Sequence, residues 1–80
     1  MKYSRSDYDR IQDPAGLIPA DEPVFLLRGQ DKVAPMVVRL WAQLADACGA
    51  DPETVASARR QADAMAAWPV KKLPDAPDAA

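Results

Sequence analysis

The side chains able to do chemistry in this chain are one thiol, twelve carboxylates and ten lysines and arginines, with no histidine among them. Histidine is the commonest general base because its unperturbed pKa lies near neutrality. Without it, the thiol of Cys48 has no imidazole to deprotonate it. Cys48 also falls on an apolar helical stripe, so it reads as a small buried core residue rather than a nucleophile. Asp31 and Asp51 are accounted for as helix caps. Among Asp21, Glu22, Asp46, Glu53 and Asp63, no two sit at i, i+3 or i, i+4 facing an apolar pocket, which is what paired acid–base work requires. One thiol and no histidine cannot supply a zinc-ligand set. The residues therefore predict no enzyme, no metal and no cofactor.

What remains is recognition chemistry. Arg28, Lys32, Arg39, Arg59 and Arg60, joined by Trp68, are the residues expected to carry binding. A guanidinium pairs carboxylates and phosphates through its planar fork, and tryptophan and arginine dominate binding hot spots. The plain reading of the same residues is a solvated face, with Arg59 and Asp63 paired at i, i+4. Trp68 either covers the strand or stands exposed as an anchor. The run Gly29-Gln30-Asp31-Lys32 carries two readings as well. A glycine before a helix start with a lysine in the first turn can hold a phosphate. Asp31 would place its own negative charge at the same helix end, which favours a turn with an N-cap.

Two helices and a strand are predicted to position these residues. The first helix spans about Lys32–Cys48, capped by Asp31, with Pro35 in its first turn. Val33, Met36, Val37, Leu40, Trp41, Leu44, Ala47 and Cys48 recur at helical spacing as one apolar stripe, with Trp41 in the core. Arg39, Gln43 and Asp46 lie opposite, and Gly49 stops the helix. The second helix spans Pro52 to about Trp68, opened by Asp51-Pro52-Glu53 and ended by Pro69. Its stripe of Val55, Ala58, Ala62, Met65 and Ala66 is narrow and small. The short link between the helices predicts an αα-hairpin.

Val24–Arg28, bounded by Pro23 and Gly29, reads as a short strand, with one turn of helix as the alternative. A strand must pair, and three partners are open: the N-terminal arm, Val70–Leu73, or a second copy of the chain in a homodimer. Asp13-Pro14-Ala15-Gly16 is a turn signal. The expected organisation is a mobile arm over 1–10, one mainly α domain over 11–69 and a disordered tail over 70–80.

Composition narrows the setting. A chain of 80 residues predicts one domain with a marginal core, burying only roughly 60–65% of the surface its unfolded form exposes. A lone cysteine excludes an intrachain disulfide and suits a reducing cytoplasm. A net charge of −2 argues against direct nucleic-acid binding, which needs a basic stripe. Asp21-Glu22 is the single adjacent acidic pair, too little for a DNA mimic. No apolar run approaches the roughly 18 residues of a membrane span, and the N-terminus lacks the apolar core of a secretory signal.

The stretch from Asp21 through Pro35, with Glu-Pro-x-Phe-x-Leu-Arg-x-x-Asp at its centre, followed by Trp41-Ala42 and Gly49-Ala50-Asp51-Pro52, resembles a group of small accessory proteins of tailed phages and prophages of Gram-negative bacteria. The resemblance covers about residues 11–68. It implies a setting in the cytoplasm of the bacterial host and an inhibitor that binds a host protein complex. Anti-CRISPR proteins, which block a Cas effector complex, are the most concrete class it implies. Two other readings remain open: a sponge that sequesters a nucleotide signal at Gly29–Lys32, and a structural or morphogenetic phage component.

Overall fold

The structure, a computed structural model, describes residues 13–75. Two helices form in it, α1 (Ala34–Ala47) and α2 (Pro52–Ala67), and no strand forms among the described residues. The described residues fall into two units, 13–26 with Asp75, and Leu27–Pro74.

In the first unit, Asp13 organises the turn its sequence predicts. Its carbonyl accepts from Gly16 N–H at 3.0 Å. Its carboxylate accepts from Leu17 N–H at 3.2 Å and Ile18 N–H at 3.0 Å. Gly16 takes φ +63°, the left-handed conformation open to glycine at little cost. A second turn follows, closed by Glu22 N–H on the Pro19 carbonyl at 3.1 Å.

The second unit is the αα-hairpin. At the start of α2, the Asp51 carboxylate accepts from Thr54 N–H at 3.1 Å, Pro52 occupies the first turn, and Glu53 adds a negative charge to the positive helix end. At the end of α1, Gly49 takes φ +86°. Ala50 N–H then reaches the Ala45 carbonyl at 2.9 Å and Gly49 N–H the Asp46 carbonyl at 3.1 Å. This double bond pattern satisfies the last carbonyls of α1 and reverses the chain.

The start of α1 differs from the expectation. The helix begins at Ala34, Val33 is its cap position, and no side chain caps it. Asp31 instead accepts from Val33 N–H at 2.8 Å, two residues on, and its carbonyl accepts from Ala34 N–H at 3.2 Å. A short carboxylate that bonds the backbone two residues ahead makes a turn of its own, and the helix waits until that turn is complete.

The packing face of α1 also differs. The buried residues of the two helices are Ala34, Pro35 and Ala42 from α1 and Val55, Ala62 and Met65 from α2. Val38 and Ala45 are half-buried on the same side of α1. The large apolar stripe expected to form the core faces outward: Met36 is 63% exposed, Leu40 54%, Trp41 51% and Leu44 57%. Cys48, expected to be buried, is exposed. The reason is the small-residue stripe of α2. A helix presenting Ala58 and Ala62 packs with least void against another small face, and α1 carries one in Ala34, Val38, Ala42 and Ala45. Alanine against alanine lets the backbones approach closely, which places the large side chains of α1 on its far side.

No strand forms over Val24–Arg28, nor does the helical alternative; the segment shows one isolated β-bridge residue, Val24, and gives no strand to support the expected dimer. A further bridge occurs a few residues later. Lys32 N–H donates to the Lys72 carbonyl at 3.0 Å and Lys72 N–H to the Gln30 carbonyl at 2.8 Å, an isolated parallel bridge between Asp31 and Lys72. Residues 71–74, placed by the sequence in a disordered tail, thus return to the start of α1. The arm assigned to 1–10 and the last residues of the tail, 76–80, lie outside the described residues.

Candidate binding surface

The return of the chain after α2 builds the site. Pro69 ends the helix and Lys71 folds back, donating its Nζ to the Gly29 carbonyl at 2.7 Å and to the Met65 carbonyl. Met65 lies in the last turn of α2, where its carbonyl also accepts from Trp68 N–H at 3.2 Å and the dipole is negative. One ammonium therefore satisfies the end of α2 and ties the 29–31 turn to it. The turn lies against the end of α2: a Cβ at Gly29 would stand in ordinary contact with Trp68 Cβ at 3.4 Å and Met65 Cα at 3.7 Å.

The result is an open recess of about 390 Å³ lined by Arg28, Gly29, Gln30, Gln61, Ala64, Met65 and Trp68. Trp68 packs near Gly29 yet stays 55% exposed. Among the described residues no strand lies beneath it; its inner atoms lie against the Gly29 turn and the remainder is open. Arg28, Gln30 and Gln61 add a cation and two amides around it, so the recess combines an indole surface with polar groups on its rim. Gln30 and Gln61 carry no motif that would have singled them out, and Lys71 reads in the sequence as one of a pair of tail lysines.

The six residues expected to bind are thus distributed over the hairpin. Arg28 and Trp68 line one recess. Arg39 and Arg59 line another, of about 420 Å³, with Gln43 and Asp63. Asp63 does not serve Arg59 as the i, i+4 pairing predicted; it accepts from Arg39 Nη2 across the hairpin at 3.1 Å. Arg60 donates to Glu53 two turns earlier at 3.2 Å. Lys32 is exposed just before α1. Arg59 and Arg60 therefore have different neighbours: one lines the recess with Arg39, Gln43 and Asp63, and the other pairs with a carboxylate of its own helix.

The phosphate reading of Gly29–Lys32 loses its geometry. The Val33 N–H is held by the Asp31 carboxylate, the Lys32 N–H by Lys72, and α1 starts later than Lys32. Among the described residues, no three histidine, cysteine, aspartate or glutamate side chains gather to hold a metal ion, and no helix is long and apolar enough to cross a membrane. No family model, no curated protein and no solved structure matches the chain.

Proposed function

We propose that this chain is a non-enzymatic interaction protein that acts by stoichiometric binding of another protein. The observation that supports this reading is the recess in which Arg28 and Trp68 converge. A half-exposed tryptophan beside an arginine, with amides at the rim, offers a pocket for an inserted side chain and polar groups to orient it. The setting comes from the phage resemblance carried by Glu22-Pro23-Val24-Phe25 and Leu27-Arg28. In that setting the chain is an inhibitor of host defence, most concretely an anti-CRISPR protein that occupies a Cas effector complex in the cytoplasm of the bacterial host.

The test is capture of purified Cas effector complexes by the tagged chain. Stoichiometric recovery is expected, with at least tenfold loss for Trp68→Ala and Arg28→Glu and retention in Arg60→Ala. Recovery of none of the complexes would overturn the anti-CRISPR reading. Recovery that is indifferent to both Trp68→Ala and Arg28→Glu, in variants that keep the wild-type circular dichroism spectrum, would overturn the assignment of the recess.

A further inference from the structure

The two recesses of the hairpin differ in charge. Arg39 and Arg59 share theirs with Asp63, whose carboxylate accepts from Arg39 Nη2 at 3.1 Å. No carboxylate lines the recess of Arg28 and Trp68. Among the described residues, Arg60 has Glu53 as its ion-pair partner, whereas the Arg28 guanidinium makes no hydrogen bond or ion pair. Asp31, the acid closest to it in sequence on the side of α1, turns its carboxylate to Val33 N–H at 2.8 Å. The Lys71 ammonium, bonded to the carbonyls of Gly29 and Met65, adds a second positive charge at the same end of α2. The negative end of that helix is turned to Lys71 and to Trp68 N–H, so the Arg28 charge is left unmatched. In a chain of net charge −2, this end of the hairpin is cationic.

We propose that this recess takes a carboxylate-bearing side chain, an aspartate or glutamate next to an apolar residue on an exposed segment of the partner protein. The inference rests on the reading of the recess as a binding surface and names what enters it. Each half of the recess has a matching half in such a segment. A carboxylate meets the guanidinium fork through two parallel N–H···O bonds, and the amides of Gln30 and Gln61 are further donors for it. The apolar neighbour covers Ala64, Met65 and the exposed half of the Trp68 indole. A volume of about 390 Å³ is at the small end of ligand recesses and suits one or two side chains. A phosphate backbone is the other anion that a guanidinium pairs. It brings a row of charges that calls for a row of cations, and Arg28 has neutral Gln30 and Gln61 beside it instead.

The two tryptophans give two indole N–H signals in a ¹⁵N-labelled sample of the full chain. Trp68 reports on the recess, and Trp41, which does not line it, is the internal reference. The probes are the blocked peptide acetyl-Gly-Leu-Glu-Gly-amide, its glutamine counterpart, that counterpart with a free C-terminus, and adenosine monophosphate. The glutamate peptide is expected to shift the Trp68 signal saturably with a Kd of about 1 mM or below and to leave Trp41 in place. Binding should weaken roughly three- to tenfold for the glutamine peptide, and equally for the glutamate peptide on Arg28→Gln, while Arg59→Gln binds as the wild type. Arg28 is exposed, and an unmoved Trp41 signal confirms that its variant keeps the fold. Equal binding of the glutamate and glutamine peptides would overturn the carboxylate. Tighter binding of the free C-terminus than of the glutamate would overturn the side-chain source. A saturable shift with the nucleotide alone would overturn the peptide occupant. Capture of effector complexes that is lost in Trp68→Ala and unchanged in Arg28→Gln would keep the recess as a binding surface and overturn the carboxylate assignment alone.

Discussion

The ammonium of Lys71 bonds the carbonyl of Gly29 at 2.7 Å while also holding the carbonyl of Met65. One side chain after α2 thus joins a turn before α1 to the end of α2, across a sequence separation of 42 residues. The contact is half-buried, and it replaces two solvent interactions with two charge-assisted bonds inside the protein.

Replacing Lys71 with methionine keeps the aliphatic stem and removes both bonds. The Gly29 carbonyl loses its Lys71 partner, and the Met65 carbonyl keeps only the bond from Trp68 N–H at 3.2 Å. The expected loss is about 1–2 kcal/mol. For a chain of this size that corresponds to a fall in Tm of roughly 5–15 °C. Thermal unfolding at a fixed protein concentration checks it. Lys32→Met should move Tm less, because Lys32 is exposed and bonds the turn through its backbone N–H. Equal effects would refute the clamp.

Asp51 is the cap of α2, accepting from both the backbone N–H and the hydroxyl of Thr54. Asp51→Ala removes these acceptors and should cost about 1 kcal/mol, while Asp51→Asn should retain most of the stability. Urea unfolding curves for the two variants measure the difference. Equal losses would mean the charge on the helix dipole, rather than the cap geometry, carries the effect.

The close approach of the helices rests on Ala42 and Ala62, both 0% exposed. Ala62→Leu inserts a larger side chain where a methyl fills the space and should cost about 1–3 kcal/mol through displaced backbone. Ala66→Leu, at an exposed position of the same helix, should be tolerated within about 0.5 kcal/mol. A chain that accepts Ala62→Leu without loss would refute the alanine interface.

How much of this was legible in the sequence depended on the range of the interaction. The caps, turns and stops could be read because each is decided by residues within a few positions of one another. Asp51-Pro52-Glu53 opens a helix, Gly49 ends one, and Asp13 with Gly16 closes a turn, whatever surrounds them. The existence and length of two helices, and their antiparallel hairpin, followed from those signals and from apolar spacing. Which face of α1 is inside did not. Periodicity shows that Met36, Leu40, Trp41 and Leu44 share a face, and size alone would place that face in the core. The partner decided otherwise: α2 offers alanines, the closest packing is alanine on alanine, and the large stripe turned outward. The same holds for Val24–Arg28, where the pairing stops at a single bridge at Val24 and no ladder follows, and for Lys71, whose role exists because the chain returns after Pro69. Local chemistry determined the elements; the choice among packing partners, which no window of the sequence contains, decided what they bury and what they display.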